Sequence, residues 1–221
     1  GRAPAPRLRW RQLRARIWGD GGSVPQNAIY LNIAQAALEH PRFFRWLDAR
    51  PDVTPVFFLH DLLPFDHPDL FRPDYDQLFE RRFQTILRFA RAIVTTSVTT
   101  RDRIVTEYRS RGRDAPPVFA HAPPSQLGGP ATSEDIDDAL SAQPYFVMIG
   151  TIEPRKNHAT ILSVWPEIAR ATGARLVLVG GDGWMCDDVL EKLSGPLSAS
   201  VRRARNLSAA GLRRIVVNAR A

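Results

Sequence analysis

The stretch YFVMIGTIEPRKNH, residues 145–158, shows how the chain is organised. Its first six residues are an apolar run that predicts a strand, and the pattern of residues 157–173 predicts a helix. The segment TIEPRK is therefore predicted to be the loop at the carboxyl end of a parallel strand, with Asn157 as the helix cap. Of the 30 lysine and arginine residues only two are lysine, and one of them, Lys156, lies in this loop beside Arg155.

The same alternation of strand and helix patterns runs through the rest of the chain. Residues 54–60, TPVFFLH, form a continuous apolar run that is typical of a parallel strand buried on both faces. Residues 74–90 carry apolar side chains at three- and four-residue spacing, which predicts an amphipathic helix. Further strands are predicted at 28–34, 92–97, 116–122, 175–180 and 200–206, and further helices at 40–49, 99–110, 188–195 and 207–221, the last capped by Ser208.

This order of elements predicts an α/β fold with open parallel sheets covered by helices. A segment rich in proline, glycine and small polar residues predicts a domain boundary, and we divide the chain into residues 1–125, a linker at 126–143 and residues 144–221. The linker can include a short helix at 133–140. Pro166 is expected to kink or break its helix after Trp165, because an interior proline costs about 3 kcal/mol.

The composition is that of a soluble globular protein, with 44% hydrophobic and 24% charged residues. No apolar stretch reaches the roughly 20 residues that a membrane span requires. The single cysteine, Cys186, excludes an internal disulfide and fits a reducing compartment, so a cytoplasmic location is expected.

The net charge of +7 suggests nucleic-acid binding, but the basic residues are mostly dispersed and we expect no nucleic acid as partner. Residues 1–18 are the exception, with six arginines and with Trp10, Leu13 and Ile17 on one predicted helical face. This segment fits either a basic amphipathic helix on an anionic membrane or acidic partner, or a solvated surface helix.

The loop after residues 145–150 has three features that favour an anion. Open α/β sheets bind ligands at the carboxyl ends of their strands. A helix N-terminus offers free backbone N–H groups, and Arg155 and Lys156 add two full charges. Together they predict a phosphate site, most simply for a diphosphate. The alternative is that both cations are solvated surface charges. The loop has neither the P-loop nor the dinucleotide-binding fingerprint.

The residues also carry a family resemblance. GTIEPRKNH, followed about 25 residues later by RLVLVGGDGW, resembles the carboxyl-terminal domain of glycosyltransferase family 4, which comprises retaining enzymes of the two-Rossmann-domain GT-B architecture. PVFFLHDLLPFDHPDLFRP resembles the family's strand ending in His-Asp, and IVTTSVTTRD resembles its strand–Ser–helix segment. The resemblance runs from about Tyr30 to the end of the chain.

The resemblance implies roles for several residues. Arg155 and Lys156 would hold the donor's diphosphate and stabilise the charge that grows on it as the glycosidic bond breaks, without a metal ion or cofactor. His60 would contact the transferred sugar, with Asp61 beside it; the alternative is a structural histidine at a strand end. A metal site of His60, Asp61, Asp66 and His67 has no recognised spacing.

Further candidate substrate-binding positions lie at strand or helix ends. Ser97 precedes a predicted helix, and the glycines of GGDGW permit either a close backbone approach to a nucleotide or an ordinary surface turn. The full set of substrate-binding candidates is Asp61, Ser97, Gly150, Asn157, Gly180, Gly181 and Gly183.

The expected function is the transfer of a hexose, with mannose as one candidate, from a nucleotide-diphosphate sugar to a polysaccharide or lipid-linked acceptor. The family's pair of glutamates eight positions apart is absent, and the usual first strand and glycine-rich acceptor loop are not recognisable. We therefore expect a chain truncated at both ends, with an incomplete second Rossmann-like domain and no activity alone. The alternatives are a non-catalytic nucleotide- or partner-binding module and an arginine-rich nucleic-acid binder. Peripheral contact with the inner membrane face is compatible with the basic segment.

Overall fold

The computed structural model describes residues 24–123 and 143–221. The chain divides into two compact units, Gly1–Pro124 and Ser125–Ala221. The basic segment 1–18 and the predicted helix at 133–140 lie outside the described residues, as does the predicted linker apart from Gln143.

The first unit is built on a four-stranded, fully parallel sheet with the strand order β1-β2-β3-β4. Its strands are β1 (Ile29–Asn32), β2 (Thr54–Leu59), β3 (Ala92–Thr95) and β4 (Val118–Ala120). Its α-helices are α1 (Leu63–Asp66), α2 (Tyr75–Phe89) and α3 (Val98–Ser110), with 3₁₀ helices at Pro41–Ala49 and Pro68–Leu70. The helix predicted at 40–49 is thus a 3₁₀ helix.

The core of the first unit lies on one face of this sheet. Phe57 of β2 and Ile93 of β3 are fully buried there, in one cluster with Phe83 and Ile86 of α2 and Ile104 of α3. Because the strands follow one another in chain order, right-handed crossovers bring every connecting helix to the same face.

The opposite face of the first sheet is only partly covered and is most exposed at its two edge strands, which corrects one prediction. In β2 the burial alternates, and Val56 and Phe58 are only half-buried, so the strand is not buried on both faces as its continuous apolar run predicted. Ile29 and Leu31 of β1 are 70% and 56% exposed, and Phe119 of β4 is 59% exposed.

The second unit has a three-stranded parallel sheet with the order β5-β6-β7. Its strands are β5 (Tyr145–Ile149), β6 (Arg175–Val179) and β7 (Val201–Ala204). Its α-helices are α4 (His158–Thr172), α5 (Asp187–Ser194) and α6 (Ala209–Asn218), with 3₁₀ helices at Pro154–Lys156 and Pro196–Ala199. The predicted α/β fold with two Rossmann-like parallel-sheet regions is confirmed.

Both faces of the second sheet are covered. Leu162 and Trp165 of α4 share a buried cluster with Leu176 and Leu178 of β6. On the opposite face, α6 contributes Ile215 to a cluster with Tyr145, Val177 and Val179. The central strand β6 is therefore buried on both sides, as expected for a parallel strand between two helical layers.

Helix α4 continues through Pro166, so of the predicted kink or break after Trp165 the break is wrong, and the kink stays a prediction. Pro166 has no N–H to donate within the helix, but its neighbours Leu162 and Trp165 are 2% and 1% exposed. Their burial before the proline, and the packing of Ile168 and Ala169 after it against the same cluster, stabilise the helix on both sides and outweigh the local cost. In the described parts of the chain, no helix is long and apolar enough to span a membrane.

Candidate functional site

The loop at residues 150–157 lies where the second sheet reverses its direction of winding. From β5 the chain adds β6 and then β7 at one edge of the sheet. Helix α6 then runs back across the sheet, on the face opposite α4, to the free edge of β5. There the N–H of Arg220 donates to the carbonyl of Tyr145 (2.8 Å), and the N–H of Val147 donates to the carbonyl of Ala221 (2.7 Å). In open α/β sheets, ligands bind outside the carboxyl ends of strands at such a reversal.

The loops after β5 and β6 are joined by backbone hydrogen bonds. The N–H of Gly150 donates to the carbonyl of Val179, and that of Ile152 donates to the carbonyl of Gly181, both at 2.9 Å. The N–H of Gly183 donates in turn to the carbonyl of Ile152 at 3.0 Å. These bonds hold the segment that carries both cations against the neighbouring strand end.

The three predicted nucleotide-binding glycines have different environments. A Cβ on Gly180 would overlap the carbonyl of Gly150, and one on Gly183 would lie 2.7 Å from the carbonyl oxygen of Ile152. The close approach that these two glycines allow is thus an approach of the two loops. Gly181, by contrast, has no atom within 4 Å of its Cβ position and borders open space.

Lys156 is exposed, and its aliphatic stem lies against the end of β5. A Cβ on Gly150 would lie 3.4 Å from Cε of Lys156 and 3.6 Å from its Cδ. Gly150 therefore provides the flat surface along which this side chain runs.

Arg155 has an acidic partner that the sequence analysis did not identify. Its Nη2 donates to Oε1 of Glu153 at 2.6 Å, and Glu153 is only 5% exposed. The two predicted cations of the loop are thus not equivalent, because the charge of Arg155 is balanced by Glu153 while Lys156 is exposed.

Asn157 begins helix α4 but does not cap it with its side chain, contrary to the prediction. Its backbone is left-handed (φ 53°), a conformation that asparagine tolerates better than most residues, and its Oδ1 accepts from Oγ1 of Thr160 at 2.8 Å. The side chain therefore leaves the first backbone N–H groups of α4 available to an anion.

A second charged group, also missed from the sequence, lies at the ends of the two other strands. Asp182 follows β6 and pairs with Arg203 of β7 and with Arg205, whose Nη2 lies 2.8 Å from Oδ2 of Asp182. The hydrogen bond from Arg203 holds the pKa of Asp182 below its usual value. Position at or shortly after the end of a strand was the only sequence signal for these residues.

His158, the first residue of α4, is buried beneath the loop. It is 2% exposed, and neither ring nitrogen has a hydrogen-bond partner. Burial lowers its pKa, and the nearby positive charges of Arg203 and Lys156 act in the same direction against the opposing effect of Glu153. The ring is therefore neutral near pH 7 and adds no charge to the site.

The predicted site residues of the first unit lie at the carboxyl edge of its sheet. His60 follows β2 and is exposed; its ring meets that of Phe58 edge-on, with the centroids 4.7 Å apart. Asp61 accepts from the N–H of Leu63 at 3.1 Å, and Ser97 caps α3 by accepting from the N–H of Thr100 at 3.1 Å. Asp61 and Ser97 thus stabilise local backbone, whereas His60 has its ring at the surface.

The metal interpretation of the first unit is not supported by its geometry. Asp66 pairs with Arg103 at 2.8 Å. Across residues 24–123 and 143–221, no three His, Cys, Asp or Glu side chains are grouped so that they could hold a metal ion. The contact of His60 with the transferred sugar stays a prediction.

No protein-family model matches the chain. Among curated proteins, it is similar to the serotype-specific mannosyltransferase WbdA of Escherichia coli, with 40% identity over 67 residues. That match covers 30% of this chain and 8% of WbdA, so the chain corresponds to a small part of that relative.

Solved structures match most of the chain. They include the α,α-trehalose 6-phosphate synthase of Burkholderia multivorans, with TM-score 0.65 and 12% identity over 98% of this chain and 55% of that one. HepE of Anabaena, solved with UDP and glucose, has TM-score 0.59 and 16% identity over 86% of this chain and 50% of that one. The matched structures are GT-B glycosyltransferases. Because the identities are low, this likeness establishes the Rossmann-like α/β fold and leaves the activity to be proposed.

Proposed function

We propose that the chain is part of a family 4 glycosyltransferase and that its second unit binds the diphosphate of a nucleotide-sugar donor. The observation that carries this proposal is the position of the loop 150–157 at the winding reversal of the sheet. The loop combines an exposed lysine, an oriented arginine and the uncapped N-terminus of a 15-residue helix.

These groups suit the chemistry of sugar transfer. When the bond from the sugar to the diphosphate breaks, negative charge accumulates on the departing phosphate. Groups that are already oriented towards that charge stabilise the transition state more than the ground state. Lys156 supplies a full charge, Arg155 a directed pair of N–H donors, and α4 the positive end of its dipole. The proposed transfer needs no metal ion.

The finer assignment of the reaction rests on the matched relative and on the family resemblance. The partial match to a mannosyltransferase supports a hexose, and specifically mannose, as the transferred sugar. We propose retention of configuration from the family resemblance, and a polysaccharide or lipid-linked saccharide as acceptor. His60 is proposed to contact the transferred sugar, since its ring is exposed at the end of β2.

We further propose that the chain alone binds the donor's nucleotide diphosphate without completing sugar transfer. Its seven glutamates include no pair eight positions apart, so the family's groups for the donor sugar and ribose are missing from the sequence. Measurable sugar transfer by the isolated chain would contradict this part of the proposal.

Titration calorimetry with UDP and GDP tests the site directly, and the chain offers a matched control. Lys156→Ala should weaken binding at least about tenfold, the loss expected for a charge-assisted contact to phosphate. Lys192→Ala removes the only other lysine, which is exposed on α5, and should change the affinity less than about twofold.

Equal losses in the two variants would refute a specific role of Lys156. Salt-sensitive binding of single-stranded RNA that survives Lys156→Ala would instead support the arginine-rich nucleic-acid binder.

A further inference from the structure

We propose that Glu153 is a positioning residue of the anion site: its buried carboxylate turns Arg155 into an oriented donor and leaves Lys156 as the source of net positive charge. This inference rests on the proposed function, which it deepens by separating the tasks of two adjacent cations.

The backbone of Glu153 is fixed on both sides. Its carbonyl accepts from the N–H of Lys156 at 3.1 Å, which closes the 3₁₀ turn Pro154–Lys156. A Cβ on Gly183 would lie 3.3 Å from Cβ of Glu153, so the loop after β6 packs closely against it and glycine at 183 makes room for the contact. The carboxylate therefore projects from a rigid position between two hydrogen-bonded loops.

The burial of the carboxylate requires the arginine. Only 3% of the Glu153 side chain is exposed, and an ionised carboxylate in that environment needs a charged or hydrogen-bonding partner. Arg155 is half-buried with 31% of its side chain exposed, and its Nη2 lies 2.6 Å from Oε1 of Glu153. The guanidinium is thus anchored to a buried acid, while part of the Arg155 side chain reaches the surface.

The pair changes what each cation of the loop can contribute. Arg155 and Glu153 together are neutral, so of the two cations in this loop it is Lys156 that chiefly attracts an approaching phosphate. The anchored guanidinium loses less conformational freedom on binding than a solvated arginine does, and it meets the phosphate in a fixed orientation. A site with two free cations would hold a diphosphate more strongly but orient it less well.

Two substitutions at Glu153 separate charge from orientation. Glu153→Gln and Glu153→Ala both remove the negative charge, but only glutamine retains an oxygen that can accept from Arg155. UDP and GDP should bind Glu153→Gln about three- to tenfold more tightly than the unmodified chain, because a repulsive charge is gone. They should bind Glu153→Ala about tenfold more weakly than Glu153→Gln, because the donor is no longer oriented.

Glu191→Gln is the matched control, since it removes an exposed acid from α5 of the same unit and should leave the affinity unchanged. Equal affinities of Glu153→Gln and Glu153→Ala would overturn the positioning role. If Glu153→Gln and Glu153→Ala both bound nucleotide more weakly than the unmodified chain and by the same factor, the positioning role would also be overturned. That result would show that the charge of the carboxylate, and not its acceptor oxygen, is needed.

A second measurement decides the inference even if no nucleotide binds. ¹⁵N relaxation of the Arg155 Nε–Hε group in the unliganded chain reports the mobility of its guanidinium. This group should be rigid in the unmodified chain and in Glu153→Gln, and mobile in Glu153→Ala. Equal mobility in all three would overturn the inference, whereas loss of nucleotide binding with a rigid Arg155 would overturn only the proposed function.

Discussion

The adjacent residues Gly180 and Gly181 give a direct test of how the two loops of the site are joined. Gly180 has φ 151°, and a Cβ there would overlap the carbonyl of Gly150, whereas the Cβ position of Gly181 is open. Gly180→Ala should destabilise the second unit by more than about 2 kcal/mol, because backbone must move, and Gly181→Ala should change stability by less than about 0.5 kcal/mol. Urea unfolding compares them, and similar losses in the two variants would contradict the described contact.

His158 predicts a pH dependence of stability. Its folded pKa lies below the ordinary value of 6.5 because the ring is buried. As the pH falls below 6.5, the unfolded chain binds a proton at this residue and the folded chain does not, so the free energy of unfolding falls. Well above pH 6.5 the ring is neutral in both the folded and the unfolded chain, and the free energy of unfolding no longer depends on this residue's protonation.

Replacing the ring by an apolar side chain of similar size tests that dependence. Between pH 7.5 and 5.5 the free energy of unfolding should fall less in His158→Leu than in the unmodified chain. At pH 7.5 the substitution should not destabilise the protein, since it removes two buried ring nitrogens that have no hydrogen-bond partner. Urea unfolding followed through amide signals of the second unit measures both effects. An unchanged pH dependence in His158→Leu would exclude His158 as its source.

At single residues, the sequence indicated which positions lie at strand ends but not how their side chains pair. Arg155 and Lys156 could be identified from their place after an apolar run. The partnership of Arg155 with Glu153 depends on burial, which local sequence does not specify. The pairing of Asp182 with Arg205 joins residues 23 positions apart on neighbouring strand ends and requires the strand order.

Among the secondary-structure elements, those with long periodic patterns were predicted best. The helix predicted at 74–90 is α2, Tyr75–Phe89, and the helix predicted at 207–221 is α6, whose cap Ser208 accepts from the N–H of Gly211 at 3.0 Å. Each helix has a local signal that acts without distant contacts: apolar spacing for α2, and the capping serine for α6.

The elements that were predicted wrongly depend on tertiary structure. The continuity of α4 through Pro166 follows from packing on both sides of the proline, by Leu162 and Trp165 before it and by Ile168 and Ala169 after it, which the sequence pattern does not report. The one-sided burial of β2 follows from the order of its neighbours, because an apolar run has the same composition whether one or both faces are covered. The sequence of a single strand does not specify its neighbours in the sheet, so it does not specify which of its faces is covered.

For the whole molecule, the two sheets differ in how the chain winds on them. In the second unit, α6 crosses to the face opposite α4 and α5, which both covers that face and creates the reversal beside β5. In the first unit, the strands follow in chain order with their helices on one side. The same winding difference therefore explains the location of the candidate site and the exposure of the first sheet.

The exposed face of the first sheet should bind hydrophobic dyes. Leu31 pairs in register with Val56, and Val94 with both Phe58 and Phe119, so these side chains form a contiguous apolar surface. The double substitution Leu31→Thr with Phe119→Thr should lower the fluorescence of bound anilinonaphthalene sulfonate by about half, because it interrupts this patch at two strands. Threonine favours strands, so the thermal midpoint should change little.

The control for this prediction is an equally exposed apolar residue outside the sheet. Val217 of α6 is 64% exposed, close to Leu31 and Phe119 at 56% and 59%, but it lies on a helix. Val217→Thr should leave the dye fluorescence unchanged, since a single exposed apolar side chain does not form a patch. If the helix variant lowered the signal as much as the sheet variant, the dye would be responding to exposed apolar residues in general, and the contiguous surface on the first sheet would not be its site.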